Sequence, residues 1–533
     1  MARTEHRAGT EARAGTGPCT VPGAAFCAVA PHPRLRRQMA EAVAAGGGPG
    51  AVPGALGPEP KLPGFNDAVI RPGGVPRFAA AGLQRAQLRG TVRVAVVLVE
   101  FSDHTFGVDP GHFDNLFFST GVVPTGSVKE FYNEVTGGLV DIEGAVVGPL
   151  KMPHTLAWYA NNNYGIGKPS GDARAQIMAQ DAAKAADAKL DFSPYDNDGD
   201  GYVDAFVVVH AGGGGEETGN AGDIWSHKWV LPSEYQADTV KIFAYLTIPE
   251  DAKLGVAAHE LGHLLFGFPD LYDTDYTSEG VGDWCLMGAG SWNGGGDTPS
   301  HPSAWCTAQQ GWASVVNVDT DASLTVEAVE DGRTVYRAWT SGQQGQEYFL
   351  AENRQLTGFD SALPAAGLLL WHVDEHQQDN TDENHYMVGL VQADGSKDLE
   401  HASNRGDDGD CFPGSTDVRT VDASTNPSTH DYAGQDSLVR LRNISDSAQS
   451  MTLEVSVTGA GGDTPPPDGG DLAAQVQALT QRVTALESAL AAVAQTLSGL
   501  SSGAPATGTS GASGRKGTGN VVDVTGSRPA DVP

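Results

Sequence analysis

The chain has 533 residues, enough for two or three domains and for a hydrophobic core that closes without metal or disulfide staples. Its 66 acidic residues against 33 lysines and arginines give a formal net charge of −33, which argues against nucleic acid and anionic membrane surfaces as partners. No long apolar run predicts a membrane span, and five scattered cysteines are too few for a disulfide scaffold.

Residues 1–80 are rich in alanine, glycine, proline and arginine, with one helical pattern in PHPRLRRQMAEAVAAG. This composition is typical of a leader or pro-segment, partly disordered, rather than of a core. The first residues lack the apolar stretch of a secretory signal, so no export signal is readable. Cys27 suggests a thiolate that plugs a catalytic metal, but no basic consensus surrounds it. A buried small residue, or a pairing with Cys19, is the favoured interpretation.

Residues 81–315 alternate strand patterns with helical ones. VRVAVVLVEF and YVDAFVVVHAGGG predict buried strands, and SVKEFYNEV and GDARAQIMAQDAAKAADAKL predict helices between them. Strands that alternate with helices indicate an α/β body. Residues 316–458 instead contain short, often alternating runs such as EYFLAEN and GLLLWHV, separated by Gly, Asp and Asn turns, and they predict an all-β sandwich.

The remaining residues predict a linker, a helix and a tail. A Gly/Pro linker covers 459–471, a helix covers 472–500, and a disordered tail covers 501–533. From Leu472 to Leu500 the apolar residues are spaced alternately four and three apart, which is the seam of a coiled coil. We expect this helix to form a homo-oligomer, either a dimer or a trimer, because its mixed valine and leucine seam favours neither.

The most informative motif is HELGH at residues 259–263. Two histidines four apart on a helix lie on one face, so that both imidazoles reach one zinc ion. Glu260 between them is placed to take a proton from the attacking water and to pass it to the leaving amine. Apolar residues at helical spacing in VAAHELGHLL support the helix, and Gly267 and Pro269 predict its end. The motif predicts metal-assisted hydrolysis of peptide bonds.

A catalytic zinc ion usually has three protein ligands, so the chain must supply one more. Asp270, seven residues beyond His263, is the preferred candidate. Glu279 is the second choice, at a spacing used by proteases with a downstream glutamate ligand. Asp273 and Asp283 stay open.

Two further roles around the metal have candidates. Met287, in the glycine-rich stretch DWCLMGAGSWNGGG, would supply a soft apolar floor under the histidines. The donor that stabilises the developing oxyanion is Tyr272, Tyr276 or His301, and the sequence does not choose among them.

A second metal site is predicted in DNDGDGYVD. Asp196, Asp198, Asp200 and Asp204 form the pattern D-x-D-x-D-G-x-x-D, which places oxygen ligands around a hard cation such as Ca²⁺. An EF-hand is excluded, because Val207 stands where a bidentate glutamate belongs and a strand follows the loop. We therefore expect a structural calcium loop of another kind.

These motifs together resemble the immune inhibitor A family of secreted bacterial metallopeptidases. The resemblance is carried by HELGHLLFGFPDLYDTD, GVGDWCLMGAGSWNG and HPSAWCTAQQGW, extends to PYDNDGDGYVDAFVVVHAGGGGEE, and covers about residues 25–457. It implies a metzincin-like zinc endopeptidase domain, a following β-sandwich, bound calcium and secretion. One difference is that family members commonly read H-E-x-x-H-x-x-G-x-P-D, whereas Phe266 adds one residue before Gly267 and shifts Asp270 by one position.

The expected fold class is thus an α+β/α-β metzincin-like zinc peptidase catalytic domain, followed by an all-β sandwich and a C-terminal coiled-coil helix. The expected function is a zinc-dependent endopeptidase that acts on proteins or peptides. The alternative is a catalytically inactive, calcium-binding adhesion protein on a peptidase scaffold. Intact His259, Glu260 and His263 favour the enzyme.

Overall fold

The structure is a computed structural model, and it describes residues 26–44, 87–167 and 171–458. These residues belong to one compact unit of the chain. Within them, no helix combines the length and the apolar character that crossing a membrane requires. Several predicted features lie outside the described residues and stay predictions: Cys19, the linker 459–471, the coiled coil 472–500 and the tail 501–533.

The helices and strands follow one another in three groups. The helices are α1 (Pro33–Ala44), α2 (Pro110–Phe118), α3 (Val128–Thr136), α4 (Leu156–Ala160), α5 (Ala175–Ala186), α6 (Gly215–Thr218), α7 (Leu254–Phe266), α8 (Ala304–Gln309) and α9 (Val329–Gly332). The first sheet contains β1 (Cys27–Ala28), β2 (Gly90–Glu100), β3 (Val140–Lys151), β4 (Phe206–His210), β5 (His227–Ala237) and β6 (Val240–Pro249). The later strands are β7 (Ser314–Asn317), β8 (Ala322–Glu327), β9 (Thr334–Trp339), β10 (Glu347–Arg354), β11 (Gly367–Asp374), β12 (Val388–Leu390), β13 (Arg440–Arg442) and β14 (Ser450–Ser456).

The first sheet has the strand order β1-β5-β6-β4-β2-β3. β3, β2, β4 and β6 run parallel, whereas β5 runs antiparallel to β6 and β1 antiparallel to β5. β2 is apolar at nearly every position because helices and loops cover both faces of the sheet. Val94 and Val96 enter one buried cluster, and Ala95 and Val97 enter the cluster on the other face. The predicted mixture of strands and helices is confirmed.

Helix α7 carries the HELGH motif through the interior of the protein. Every residue of α7 is buried, which its near-continuous apolar sequence allows. Gly255 lies so close to the loop at Ser291 that a Cβ atom there would come within 1.8 Å of the Ser291 carbonyl oxygen. The Tyr132 hydroxyl of α3 donates a hydrogen bond to the Ala258 carbonyl at 2.6 Å. These contacts fix the helix against its surroundings.

The β-rich half contains a five-stranded sheet, β12-β11-β10-β9-β7, and a three-stranded sheet, β13-β14-β8. Side chains of β10 and β11 alternate between two cores. Leu350 and Trp371 belong to the cluster that also contains α7, whereas Phe349 and Leu370 face the cluster shared with the three-stranded sheet. The five-stranded sheet is therefore buried on both faces, and the two halves of the chain share one core.

The N-terminal segment packs on this body, contrary to the expectation that it contributes nothing to a core. β1 extends the first sheet beyond β5. Val29 is fully buried in the main cluster, and Leu35 and Met39 of α1 pack in a smaller cluster with Trp225. Alanine and proline enrichment hid these few apolar residues in the sequence.

A buried ion pair connects β10 to the loop that follows it. Arg354, which is fully buried, binds Asp360 through Nε and a terminal nitrogen at 2.5 and 2.6 Å. Burial alone would raise the pKa of Asp360, but the Arg354 guanidinium holds it below its usual range. The His301 backbone N–H also donates to this carboxylate, at 2.9 Å. The pair therefore holds together the loop at residue 301 and the start of the β-rich half.

Replacement of Arg354 by methionine should lower the free energy of unfolding by about 3–5 kcal/mol, because it leaves the Asp360 carboxylate buried without its cation. The matched control is Arg419→Met, since Arg419 also pairs with two carboxylates but at the exposed surface, where the loss should be about 0–1 kcal/mol. Urea unfolding measures both.

The pH dependence has a defined sign. Because the folded-state pKa of Asp360 is depressed, its stabilisation is present above the unfolded pKa and is lost as the pH falls below about 4. The difference between wild type and Arg354→Met should therefore shrink in acid. A difference that stays constant down to acid pH would contradict this account.

Candidate metal centre

Helix α7 places His259 and His263 one turn apart on the same face. The helix ends where the sequence predicted, because Gly267 adopts the left-handed conformation (φ 67°) and its N–H bonds back to the Gly262 and His263 carbonyls. The chain then turns through Phe268 and returns to the two imidazoles. Both histidine side chains are buried.

The two imidazoles are oriented by backbone carbonyls. Nδ1 of His259 donates to the Leu286 carbonyl oxygen at 2.9 Å, and Nδ1 of His263 donates to the Phe268 carbonyl oxygen at 2.5 Å. With a proton on each Nδ1, each Nε2 presents a lone pair, which is the state in which histidine binds a metal.

Asp270 completes a compact set of three donor atoms. Its Oδ1 lies 3.1 Å from Nε2 of both His259 and His263, and the two Nε2 atoms are 2.9 Å apart. Three lone pairs facing one another in a dry interior repel unless a cation sits among them. Ligands about 2.0–2.1 Å from a tetrahedral zinc ion lie about 3.3 Å from each other, close to the observed spacing. The residues present fit a zinc ion.

The electrostatics of the two histidines differ. Burial, with His263 close by, lowers the pKa of His259. Burial acts in the same direction on His263, but the sulfur of Cys27 and the carboxylate of Asp270 outweigh it, so the pKa of His263 is raised. The cluster thus favours one positive charge between the two rings.

Glu260 faces the same cluster from α7. Its carboxyl group is buried, and neither oxygen has a hydrogen-bond partner among the described residues. Burial, together with the carboxylates of Asp270 and Glu216, raises its pKa well above its usual range, although His263 opposes the shift. A buried carboxyl group without a partner costs free energy, so its retention points to a chemical role.

Met287 lies beneath the two histidines. Gly262 separates them on α7, and a Cβ atom at Gly262 would approach the Met287 sulfur to 2.9 Å. Met287 is fully buried, and its carbonyl accepts a hydrogen bond from the Leu271 N–H at 2.8 Å. The methionine therefore forms an apolar floor next to the loop that carries Asp270.

The structure places Glu279, the second choice for the third ligand, in a different contact. Its carboxylate pairs with Arg36 of α1 at 2.9 Å. Asp273 caps its own turn by accepting from Thr277 and Ser278. Neither residue belongs to the His259–His263–Asp270 cluster.

The three candidates for the oxyanion donor lie in two places. The Tyr272 hydroxyl donates to the Ala28 carbonyl oxygen at 2.8 Å, and the Tyr276 ring stacks on the Tyr272 ring with centroids 6.2 Å apart. His301 instead bonds to Glu134 at 3.0 Å, beside the Arg354–Asp360 pair. His301 is therefore part of the buried ion-pair network.

The acidic loop at residues 196–204 brings three of its four predicted ligands together. Carboxylate oxygens of Asp196, Asp198 and Asp204 lie within 4.8 Å of one another, whereas Asp200 is not part of this group. Asp196 also accepts backbone N–H bonds from Gly199 and Gly201, at 2.9 and 3.0 Å. The loop is folded around its own carboxylates.

One residue next to the histidines was not favoured from sequence. The sulfur of Cys27 lies within 4.8 Å of ligand atoms of His263 and Asp270. The short apolar stretch FCAVAP around it was the available signal, but its place in an alanine- and proline-rich segment made the signal weak.

A helix-borne histidine pair, a convergent aspartate and an unpartnered glutamate define the site of a metallopeptidase. Residues 101–315 match the family model described as immune inhibitor A peptidase M6, catalytic domain. This part of the chain therefore belongs to the immune inhibitor A peptidase family, and the resemblance seen in the motifs is confirmed for it. Membership implies a catalytic metal.

Two curated relatives support the assignment. The chain is 32% identical over 285 residues to immune inhibitor A of Bacillus thuringiensis subsp. alesti, covering 43% of this chain and 41% of the relative. It is 31% identical over 239 residues to the pre-pro-metalloprotease PrtV of Vibrio cholerae serotype O1 (strain M66-2), covering 37% of this chain and 25% of the relative. The chain thus spans less than half the length of these relatives.

Replacement of Met287 by alanine should weaken metal binding, because the histidines lose the surface on which they rest. We expect affinity to fall about tenfold, measured with zinc against a competing chelator. The matched control is Met178→Ala, since Met178 is equally buried but lies on α5 in the other core cluster. Both variants should lose about 2–5 kcal/mol of stability in metal-free urea unfolding. Equal zinc affinities in the two variants would contradict the role given to Met287.

Proposed function

We propose that the protein is a zinc-dependent endopeptidase that hydrolyses peptide bonds in proteins. The observation that carries the proposal is the approach of His259 Nε2, His263 Nε2 and Asp270 Oδ1 to within 2.9–3.1 Å of one another, beside the unpartnered Glu260. Asp270 is the third ligand in this proposal. Glu279 is not, since its carboxylate is engaged by Arg36.

When bound, zinc supplies a Lewis acid that makes an attacking water more acidic and stabilises negative charge on the scissile carbonyl oxygen. Glu260 accepts the proton of that water and later donates it to the leaving amine. The raised pKa of its carboxyl group brings it towards the range in which it can do both. The Leu286 and Phe268 carbonyls hold the imidazoles in the required tautomer throughout.

Tyr272 is the preferred donor to the oxyanion. Its hydroxyl already donates to a peptide carbonyl, that of Ala28, which follows the cysteine next to the histidines. A substrate carbonyl at that place would receive the same bond. Tyr276 supports the Tyr272 ring by stacking on it.

Replacement of Glu260 by glutamine should lower the kcat for a protein substrate such as casein by about 10²–10⁴-fold, because the general base and acid is lost. Zinc stoichiometry should stay unchanged, since Glu260 is not a ligand. A variant that keeps wild-type kcat would remove Glu260 from the mechanism.

The third ligand is tested by a matched pair of amide substitutions. Asp270→Asn should lose zinc, whereas Glu279→Gln should retain it, because only Asp270 touches both histidine nitrogens. Metal analysis after dialysis reads both variants. Loss of zinc from Glu279→Gln alone would reverse the assignment.

We also propose that the loop at residues 196–204 binds structural calcium. The convergence of Asp196, Asp198 and Asp204 supports this, because three carboxylates are expected to gather only around a cation or through internal hydrogen bonds. The loop leads directly into β4, a central strand of the first sheet, so an ion there would stabilise the catalytic half.

Replacement of Asp198 by alanine should lower the melting temperature in calcium and leave it nearly unchanged in a calcium chelator, because a ligand stabilises only the state that binds it. The control is Asp382→Ala, which removes an exposed carboxylate from a comparable turn. Calcium should stabilise the control as it does wild type. A wild-type melting temperature that ignores calcium would contradict the site.

The larger organisation of the chain is part of the same proposal. We assign residues 81–315 to a metzincin-like catalytic domain and residues 316–458 to a β-sandwich, supported by the two sheets that share a cluster. The coiled coil at 472–500 would join two or three copies. Secretion, and proteins or peptides as substrates, follow from the family resemblance.

A further inference from the structure

We propose that Cys27 is an additional ligand of the catalytic metal and that residues 26–30 occupy the track of a peptide substrate. The chain that the structure describes would then be the latent form of the enzyme. This inference rests on the proposed peptidase function.

The sulfur of Cys27 belongs to the cluster of donor atoms. It lies within 4.8 Å of ligand atoms of His263 and Asp270, and the residue is 6% exposed. A catalytic zinc ion with three protein ligands keeps one further position for water or substrate. Thiolate is a strong zinc ligand, so a cysteine at that position competes directly with the attacking water.

Glu260 gives independent evidence that the cluster around Cys27 is a ligand site. Its carboxyl group is fully buried and has no hydrogen-bond partner among the described residues. It faces His263 and Asp270, the residues that Cys27 approaches. Cys27 is thus inserted among catalytic groups rather than stored in an apolar core.

Residues 26–30 are bound mainly through their backbone. Cys27 and Ala28 pair antiparallel with Lys228 and His227 of β5, which extends the first sheet by one strand. Three side chains donate to successive carbonyls of the segment: Tyr272 to Ala28 at 2.8 Å, Trp225 to Val29 at 3.0 Å and Trp292 to Ala30 at 2.8 Å. These bonds do not depend on the side chains of the segment, so another extended peptide can make them.

The track therefore has the features of a substrate site. An extended chain lies on a sheet edge, its backbone is recognised, and it passes the histidines. A peptide substrate that entered by strand addition would meet the same donors. The segment and a substrate cannot both occupy them.

Helix α1 holds the segment in place. Arg36 pairs with Glu279 at 2.9 Å and donates to the Tyr276 and Ser278 carbonyls at 3.0 and 3.2 Å. Both charged side chains are largely buried, at 9% and 11% exposure. Leu35 and Met39 pack beside Trp225. Because α1 is in the same chain as the site, its contacts raise the effective concentration of Cys27 at the metal.

The first experiment tests metal ligation without relying on activity. The full chain carrying Glu260→Gln, which prevents self-cleavage, is loaded with one equivalent of Co²⁺, and mass spectrometry verifies that residue 27 is retained. A thiolate-to-cobalt charge-transfer band is expected in the near ultraviolet. Adding Cys27→Ser should abolish the band, whereas Cys411→Ser, at a buried cysteine of the β-rich half, should keep it. A band that survives Cys27→Ser, or that is absent from the parent, overturns the ligation.

The second experiment tests latency in chains with Glu260 intact. Cys27→Ser should raise the rate of casein cleavage about tenfold or more over wild type, which corresponds to about 1.4 kcal/mol. Arg36→Ala should raise it less, because the thiol remains. The matched control Arg34→Ala should match wild type, since Arg34 is exposed and donates to Glu217 at 3.4 Å. Equal rates for Cys27→Ser and wild type overturn latency.

The two experiments separate the inference from the function on which it rests. If no variant cleaves casein while the cobalt band depends on Cys27, the endopeptidase proposal is wrong and the assignment of Cys27 as a ligand stands. If all variants cleave at one rate and no band forms, the endopeptidase proposal stands and the latency proposal is wrong.

Discussion

Two imidazole nitrogens and a carboxylate oxygen meet within about 3 Å of one another in the dry interior, and this is the arrangement on which the rest of the site depends. The Nδ1 protons are already committed to backbone carbonyls, so the Nε2 lone pairs cannot relieve their repulsion by rotating away. A cation is the economical solution, and a metal is the one that also does chemistry. Every element nearby either fixes these donors or limits what reaches them.

Close backbone approaches provide that fixation. Gly255 lets the loop at Ser291 pack directly on α7, and Gly262 lets Met287 fit under the histidines. Larger residues at either glycine would displace the helix or the floor, and a shift of a few tenths of an ångström would already spoil three donor atoms that share one ion. The five-stranded sheet packs on the same core from the other half of the chain, so the β-rich half also supports the active-site helix.

The sequence predicted those parts that local spacing determines. His259 and His263 share a face because they are four apart on a helix, and Gly267 ends that helix because it can adopt a positive φ. Asp270 depended on the path of the turn, and the extra residue Phe266 made that path uncertain from spacing alone. Contacts with the N-terminal segment were beyond reach, since Cys27 and Arg36 meet residues far along the chain and no local pattern encodes such pairings.

The contacts of the N-terminal segment fall into two kinds, and the difference bears on how a site can be both closed and usable. Hydrogen bonds from Tyr272, Trp225 and Trp292 to backbone carbonyls are available to any extended peptide, so they cannot by themselves favour the segment over a substrate. The Cys27 sulfur and the Arg36–Glu279 pair are contacts that an ordinary substrate lacks. A substrate thus uses the common contacts and leaves after cleavage, whereas the segment adds the private ones and stays. Selectivity for self over substrate then resides in one thiol and one ion pair, while the shared contacts keep the track complementary to peptides in general.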